Sequence, residues 1–474
     1  NKRMVCPMRR TIPNNTHASL MRRYNLDVLD MVNINGRALT AEQVESIQLK
    51  GMLKVTSNYD EGRRGQWKVI REYFPSTTKP ALVECYQIVN TGQKELAVEL
   101  PEVNQKSFTD PKKGVTGSFC IETSTDKSGY FIVKPGETLQ FGAVLTAYKE
   151  GENAPTFDVL QEKAQRQALV DELMGKLVLE TPDPVIDRMF AFSKIRGCES
   201  IYETKGGPMH GPGGESYYAA IWANDQAEYI NPFFPFVGYE YGNASALCSY
   251  QHFARFMNDD WKPIPSSIIA EGIDIWNGAG DRGDAAMIAY GAARYALARS
   301  NKQEAETLWP LIEWCLEYCR RQLNDKGVVA SDSDELEGRF PSGDANLCTS
   351  SLYYDALLSA TYLCKELGKS GASTYAKQAS TLRKNMESYF GAKVEGFDTY
   401  AYYEGNDILR SWICIPLTVG IDERAEGTIQ ALFSPRLWTK DGLLTQAGSE
   451  TFWDRSTLYA LRGVYAVGAT EKAT

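Results

Sequence analysis

The feature that most constrains this chain is an alternation of two kinds of helix in its C-terminal half. The stretch "GDAAMIAYGAARYALARS" is apolar on nearly every side and rich in small residues, which predicts an enclosed helix. The next stretch, "EAETLWPLIEWCLEYCRRQL", is amphipathic and carries its apolar residues on one stripe. The alternation recurs in "SSLYYDALLSATYLCKEL" followed by "TYAKQASTLRKNMESYF", and in "LRSWICIPLTVGI" followed by "AEGTIQALFSPRLW". Each pair predicts an inner helix backed by an outer one.

The loops between these helices also alternate. Inner helices connect to outer ones through short loops, whereas residues 324–346, 391–407 and 437–453 form long connections back to the next inner helix. Stacked helical hairpins place all such long loops on one rim, which predicts an (α/α)6 toroid with its chemistry on that rim. A closed toroid has twelve helices and we count nine from Pro184 onward, so we expect the toroid to be incomplete at the C-terminus.

The N-terminal part has the pattern of an antiparallel β-sandwich. "LQFGAVLTAY" alternates apolar residues at period two, and "VECYQIVNTGQKELAVEL" predicts two strands joined as a hairpin at Asn90–Gly92. Because "MVCPMRR" is already strand-like, the chain is expected to begin inside this domain, without its first strands. We predict a sandwich over 1–155, a linker helix over 156–180 and the toroid over 181–474, opening with Asp183 as N-cap and Pro184 in the first turn.

Composition excludes several classes of function. A net charge of -9 leaves no excess of basic residues to neutralise phosphates, which argues against nucleic-acid binding, and no apolar run is long enough to span a bilayer. Only three histidines are present, so a zinc site or a histidine-based triad is poorly supplied. The ten scattered cysteines are interpreted as free thiols, most of them buried.

Carboxylates, arginines and tryptophans concentrate where the inner helices open. These residues are Trp222 and Asp225; Asp281, Arg282 and Asp284; Asp334, Glu335, Glu337 and Arg339; and Trp453, Asp454 and Arg455. Aromatic faces with carboxylate acceptors suit a sugar, and a glycosidase needs one protonated carboxylic acid and one carboxylate. Helix capping and a solvated acidic loop are the alternative interpretations, and Asp284 fits capping well. Four such openings on one rim favour a sugar-cleaving site.

These residues carry a resemblance to the six-hairpin glycosidases, which include glucoamylases, trehalases, bacterial α-glucosidases and α-L-rhamnosidases. "YYAAIWANDQ" resembles the glucoamylase-type Trp-x-Arg-Asp element, with Asn224 in place of the arginine. "FWDRSTLYALRG" resembles a degenerate Trp-Arg-Gly-Pro-x-Trp element of trehalase-like enzymes. "VNTGQ" and "IWANDQAEYINPFFPFVGY" are similar to segments of large glycosidase-like proteins of carbohydrate-degrading gut bacteria. The resemblance implies a super-sandwich, a linker helix and an (α/α)6 toroid.

It also implies a function. We expect an inverting, exo-acting glycoside hydrolase that cleaves a terminal sugar from an oligo- or polysaccharide without metal or organic cofactor. The general acid of these families corresponds to "SDELEGRF", which points to Glu337, with Glu335 as the alternative. The terminal sugar would be bound by Trp222, Asp225, Asp281, Arg282, Arg339, Trp453 and Arg455. The resemblance places the catalytic base beyond Thr474, and it favours a periplasmic or secreted bacterial protein.

Two other functions stay open at this point. The first is a carbohydrate-binding protein that keeps this scaffold without catalysis, because fold does not imply function. The second is a polysaccharide lyase, for which His210, Tyr217 and Tyr218 would be the candidate catalytic residues.

Overall fold

The computed structural model describes residues 2–6, 20–24, 26–112, 117–211, 220–269, 275–276 and 278–474. These residues divide into two compact units, with the division between Ser200 and Ile201. The first unit is built mainly of strands and the second mainly of helices. The division lies C-terminal to the predicted start of the helical domain at residue 181. No helix in the described ranges is both long and apolar enough to cross a membrane.

The first unit contains thirteen strands and two α-helices within the described residues. The strands are β1 (Lys2–Cys6), β2 (Leu20–Tyr24), β3 (Asn33–Ile34), β4 (Arg37–Ala38), β5 (Gln43–Leu49), β6 (Leu53–Asp60), β7 (Gln66–Pro75), β8 (Ala81–Asn90), β9 (Leu96–Leu100), β10 (Asn104–Phe108), β11 (Phe119–Thr125), β12 (Gly129–Val133) and β13 (Thr138–Lys149). The helices are α1 (Val159–Gly175) and α2 (Pro184–Glu199).

Two antiparallel sheets share one apolar core in this unit. The larger has the order β10-β11-β13-β8-β7-β6-β5 and the smaller the order β12-β9-β3-β4. Trp67, Tyr86 and Phe141 from the larger sheet are buried in one cluster with Val98 and Val133 from the smaller. Because both sheets bury one face against the other, the predicted antiparallel sandwich is confirmed.

The predicted hairpin at Asn90–Gly92 is wrong, because β8 and β9 belong to different sheets. The Asn90 side chain accepts from the Gly92 amide at 3.0 Å and donates to the Lys94 and Val133 carbonyls at 2.7 and 2.8 Å. An asparagine that satisfies its own turn in this way redirects the chain from one sheet to the other.

The first-unit helix α1 covers part of the other face of the large sheet. Val159 is buried with Phe74, Val83 and Val144, and a Cβ on Gly142 would lie 2.6 Å from the Val159 methyl groups. Asp158 caps the helix, since its side chain accepts from the amides of residues 160 and 161. Asp183 caps α2 in the same way, with Pro184 in the first turn as predicted.

In the second unit, ten α-helices and nine short strands lie within the described residues. The helices are α3 (Asn231–Val237), α4 (Glu240–Ala254), α5 (Asp284–Arg299), α6 (Lys302–Arg321), α7 (Leu347–Leu367), α8 (Ala372–Phe390), α9 (Ile415–Thr418), α10 (Ala425–Leu432), α11 (Asp454–Ala466) and α12 (Thr470–Ala473). The strands are β14 (Ile201–Thr204), β15 (Gly207–His210), β16 (Ala220–Trp222), β17 (Ser267–Ile269), β18 (Ile275–Trp276), β19 (Gly391–Val394), β20 (Phe397–Tyr400), β21 (Trp438–Thr439) and β22 (Gly442–Leu443). A π-helix spans Asp225–Ile230.

Two of the predicted hairpins are regular. The inner helices α5 and α7 are buried along most of their length and pack against each other. Their outer partners α6 and α8 bury one face each. Asn301 and Asn346 cap α6 and α7 by accepting hydrogen bonds from backbone amides of the first turn. The long loops after α6 and α8 therefore lead back into the next inner helix.

The third predicted pair is shorter than its pattern indicates. A 3-10 helix over Ser411–Cys414 leads into α9, which ends at Thr418. Pro416 has no amide to donate, so it fits the first turn of an α-helix and leaves the preceding residues in a tighter turn. The last predicted helix also divides, into α11 and α12, at Gly468, whose φ is +81°.

Gly291 on α5 lies directly against the π-helix. A Cβ on this residue would lie 2.0 Å from the Ala227 carbonyl oxygen, which is backbone and has little freedom to move. We expect Gly291→Ala to lower the free energy of unfolding by about 1–3 kcal/mol, because the two helices would have to separate. Denaturant titration measures this difference.

Gly175, at the end of α1, is the matched control for that substitution. An added Cβ there would have no atom within 4 Å. Gly175→Ala should leave stability unchanged or raise it slightly, because alanine has the better helix propensity. A Gly291→Ala protein as stable as the Gly175→Ala protein would show that α5 and the π-helix are not held this close.

Candidate active site

Arg455 joins two of the predicted site residues from distant parts of the second unit. Its Nη1 lies 2.9 Å from Glu335 Oε2, and its Nη2 lies 3.3 Å from Asp225 Oδ1. Arg455 is in the first turn of α11, Asp225 begins the π-helix, and Glu335 lies in the loop between α6 and α7. One guanidinium therefore bridges two carboxylates that lie 110 positions apart in the sequence.

Glu335 is completely enclosed, with 0% of its side chain exposed. Besides Arg455, its Oε2 accepts from Asn224 Nδ2 at 3.2 Å and from the Tyr229 hydroxyl at 3.3 Å. Its Oε1 is buried and has no hydrogen-bond partner among the described residues. Three donors on one oxygen hold this carboxylate in a fixed orientation.

Glu337, two residues later, is held by a second arginine. Arg282 is fully buried, and its Nη1 lies 3.2 Å from Glu337 Oε1 while its Nη2 lies 2.8 Å from Asp284 Oδ1. Glu337 Oε2 is 3.5 Å from Arg339 Nη2, and 21% of the Glu337 side chain is exposed. Asp284 lies in the first turn of α5, as the capping interpretation expects, and it is also an ion-pair partner of Arg282. Its side chain accepts from Ser266 Oγ at 2.7 Å.

Two tryptophans stand beside these arginines. The Arg282 guanidinium lies 5.4 Å from the centre of the Trp222 ring. The Trp453 ring is approached by Arg455 at 4.4 Å and by Arg339 at 5.9 Å. Both rings are partly exposed, so the cluster offers aromatic surface next to hydrogen-bonding groups.

The acidic loop of residues 331–341 is docked against the loop that opens α5. The Ser333 amide donates to the Asp281 carbonyl at 3.0 Å, and the Asp281 amide donates to Asp332 Oδ2 at 2.8 Å. Gly280 has a φ of +70°, and a Cβ there would lie 2.5 Å from the Asp332 carboxylate. The acidic loop is therefore a fixed part of the site and not a solvated linker.

Glu337 has an uncommon backbone conformation within this loop. Its φ is +59°, in the left-handed region that non-glycine residues seldom adopt. Its amide closes a turn by donating to the Asp334 carbonyl at 2.9 Å. Asp334 is itself buried, and its Oδ2 accepts from the Tyr402 hydroxyl at 2.8 Å and lies 3.7 Å from Arg410 Nη2. Strained positions of this kind cluster at functional sites.

Asp281 is directed away from the cluster. Its carboxylate accepts from the Gly283 amide at 2.8 Å and from the Tyr318 hydroxyl at 2.6 Å. The pKa of Asp281 is raised to about 6, because burial and the nearby charges of Asp284 and Asp332 raise it by more than the two hydrogen bonds lower it. In the structure Asp281 holds the loop at the start of α5, and sugar binding by Asp281 stays a prediction.

Asp225 sits in a different environment from Asp281. Its side chain is 24% exposed beside Arg455. Burial raises the pKa of Asp225 above its ordinary value, Glu335 and Glu337 raise it further, and Arg455 and Arg282 lower it. A partly exposed carboxyl whose protonation is influenced by four neighbouring charges is typical of a functional site.

The sequence interpretation missed the polar residues beneath the cluster. Glu228 is buried in the π-helix and accepts from the Tyr459 hydroxyl at 2.9 Å, and the Tyr459 ring packs edge-on against Tyr229 at 5.5 Å. Glu228 follows Asp225 by one helical turn, and Tyr459 follows Arg455 by one turn. Extending each motif by a turn along its helix face would have found both residues.

Of the three residues considered for a lyase, the structure describes His210. His210 lies in β15, where its ring stands edge-on to Phe234 at 5.9 Å and its carbonyl accepts from Gln226 Nε2 at 2.5 Å. Tyr217 and Tyr218 lie outside the described residues. Among the residues that the structure describes, no group of three histidine, cysteine, aspartate or glutamate side chains is arranged to hold a metal ion.

Comparison with known proteins gives a match at the level of structure. No protein-family model matches this sequence, and no curated protein matches it. A bacterial glucoamylase solved in complex with acarbose aligns over 90% of this chain and 77% of its own, with a TM-score of 0.51 and 11% identity. A putative kojibiose phosphorylase from the human microbiome aligns over 93% of this chain and 73% of its own, with a TM-score of 0.53 and 9% identity.

The chain has a six-hairpin glycosidase-like fold. The predicted fold class, a β-sandwich followed by an (α/α)6 toroid, is confirmed by these alignments. At such low identity the likeness concerns the fold and leaves the activity to be argued from the site.

Proposed function

We propose that this protein is a glycoside hydrolase that acts at the end of a sugar chain with inversion, and that Glu337 is its general acid. The observation that carries the proposal is the position of Glu337. Its carboxylate is partly exposed, on a left-handed backbone, beside Arg282 and Arg339, and Arg282 in turn lies against the Trp222 ring. A general acid has to reach the glycosidic oxygen, and Glu335, which is fully enclosed, does not have that access.

The other cluster residues suit the binding of a terminal sugar. Asp225 and Arg455 can accept from and donate to sugar hydroxyls, while Trp222 and Trp453 offer ring faces to the C–H surface of the sugar. Glu335 keeps Arg455 in place. This division of roles needs no metal ion or organic cofactor, since glycosidic cleavage is acid–base chemistry. A periplasmic or secreted location belongs to the same proposal.

The two structural neighbours suggest the first substrates to test. One is a glucoamylase in complex with acarbose and the other a putative kojibiose phosphorylase, so α-linked glucosides are the natural probes. The protein would be incubated with maltose, kojibiose and longer malto-oligosaccharides, each with and without inorganic phosphate. Released sugar and sugar phosphate would be measured separately, and the anomer formed first would be read by proton magnetic resonance.

We expect a free sugar of inverted configuration in the absence of phosphate. If product forms only with phosphate, the reaction is phosphorolysis rather than hydrolysis. Binding to a glycan array without any product would support a carbohydrate-binding protein instead. An unsaturated product from uronate polysaccharides would indicate a lyase.

A further inference from the structure

Glu228 is a carboxyl group of the cluster without a basic partner. It is 5% exposed, its Oε2 accepts from the Tyr459 hydroxyl at 2.9 Å, and its Oε1 is buried with no partner among the described residues. The neighbouring carboxylates each have an arginine: Asp225 and Glu335 share Arg455, and Glu337 and Asp284 share Arg282. Within the described chain, Glu228 forms no such ion pair.

A buried carboxylate without a cation is costly, and binding a proton removes the cost. The groups that face Glu228 give little compensation. Arg455 is already divided between two carboxylates, Tyr229 and Tyr459 provide hydroxyls, and Cys348 provides a thiol. The local balance of charge therefore favours the neutral acid.

The acceptors nearby also lack a donor. Glu335 Oε1 and Asn224 Oδ1 are both buried without a hydrogen-bond partner among the described residues. Asn224 precedes Glu228 by four residues, so both lie on one helix face, and Asn224 Nδ2 already contacts Glu335 Oε2 at 3.2 Å. Unsatisfied buried acceptors are expensive, and a protonated carboxyl is a donor as well as an acceptor.

We propose that Glu228 works as a neutral carboxylic acid that positions the active site. Its proton is donated toward the unsatisfied oxygens around Glu335, while its other oxygen holds the Tyr459 hydroxyl. Tyr459 lies one turn after Arg455 on α11, so Glu228 fixes both the enclosed glutamate and the helix that carries its arginine. The protonation is independent of the reaction catalysed, and only the effect on turnover rests on the proposed function.

The electrostatic surroundings agree with this geometry. Burial raises the pKa of Glu228 well above its ordinary value, and Glu335 and Asp225 raise it further. The hydrogen bond from Tyr459 and the charge of Arg455 lower it by less. The folded protein thus retains a proton on Glu228 that the unfolded chain releases.

The pH dependence of stability tests this directly. Above the ordinary glutamate pKa of about 4.3, the folded state holds one proton more than the unfolded state, so wild-type stability falls as pH rises toward the raised pKa. The glutamine in Glu228→Gln resembles the neutral acid and does not titrate, so the stability of this variant lacks the contribution of Glu228 to the pH dependence. Between a pH of about 4.3 and the raised pKa of Glu228, we expect the unfolding equilibrium constant of the wild type, divided by that of the variant, to rise about tenfold per pH unit.

Glu162 is the matched control. It is equally buried, but it pairs with Lys79 Nζ at 2.7 Å, so Glu162→Gln should not show the tenfold rise. A ratio for Glu228→Gln that is flat or falls with pH would overturn the proposal, because Glu228 would then be ionised in the folded state.

If Glu228→Gln does not fold, infrared difference spectra between wild type and Tyr459→Phe test the protonation of Glu228 instead. A carbonyl band of a protonated carboxyl group that shifts when Tyr459 is replaced supports the proposal. A spectrum without such a band overturns it.

Activity provides a separate measurement. Once hydrolysis is established, kcat/KM of the wild type should fall at high pH as Glu228 ionises, and Glu228→Gln should keep its activity to higher pH. Identical high-pH limbs would overturn the positioning role. A protein that hydrolyses none of the sugars would refute the proposed function, while the stability data would still test the protonation of Glu228.

Discussion

Glu337→Gln is expected to lower kcat on maltose or kojibiose by about 10²–10⁴-fold, the usual contribution of a general acid. Glutamine occupies the same place on the rim and can keep one contact with Arg282, but it has no proton to give to the leaving oxygen. A glucoside whose leaving group departs without protonation, such as a dinitrophenyl glucoside, should lose far less rate. The ratio of the two losses, measured by initial rates, identifies an acid rather than a binding residue.

Two further variants make this result specific. Asp344→Asn alters an exposed carboxylate that follows the acidic loop and should leave both rates unchanged. Glu335→Gln should affect both substrates alike, since Glu335 holds Arg455 and the sugar site with it. If Glu335→Gln lost much more rate on maltose than on the dinitrophenyl glucoside, and Glu337→Gln did not, the general acid would be Glu335.

Arg455→Met is expected to reduce the free energy of unfolding by about 3–5 kcal/mol. The substitution leaves Glu335 buried with hydrogen bonds from Asn224 and Tyr229 but with no cation, and breaking a buried pair from one side has this cost. Hydrolysis should be lost as well, because Arg455 also orients Asp225. Denaturant titration at pH 7 measures the stability change.

The comparison variant is Arg339→Met on the same rim. Arg339 is exposed and 3.5 Å from Glu337, so its removal should cost less than about 1 kcal/mol. Adding Glu335→Gln to Arg455→Met should restore part of the lost stability, because the uncompensated charge is then gone. Equal losses for Arg455→Met and Arg339→Met, or no recovery in the double variant, would contradict a buried ion pair.

The large features of the fold could be predicted because they depend on periodicity. The small apolar residues around Gly291 indicate an enclosed helix, and the amphipathic stripe of α6 indicates its partner, whatever the distant contacts are. Loop lengths then place the openings of the inner helices on one rim. The details that failed, at Asn90 and Pro416, depend on single side chains that redirect the backbone.

The site was predictable in its members more than in their roles. Residue type and position brought Asp225, Glu335 and Arg455 onto one rim, and the structure joins them. Which of Glu335 and Glu337 faces outward depends on the left-handed conformation of Glu337, and no sequence pattern specifies that. Glu228 and Tyr459 looked like ordinary helix residues in the sequence, because their role depends on the hydrogen bond between them, which joins distant parts of the second unit.

The bridge made by Arg455 sets an order for the assembly of the site during synthesis. Glu335 leaves the ribosome 120 residues before its cation, and Asp225 leaves 230 residues before it. Until α11 docks, both acids have to stay hydrated or hold protons, and Glu335 in the acidic loop lacks its ion pair with Arg455. The contacts of Arg455 with Asp225 and Glu335 therefore form only after α11 has been synthesised. Closing the longest loops costs chain entropy, so the bridge from Arg455 to Asp225 and Glu335 indicates that these distant segments of the helical unit have come together.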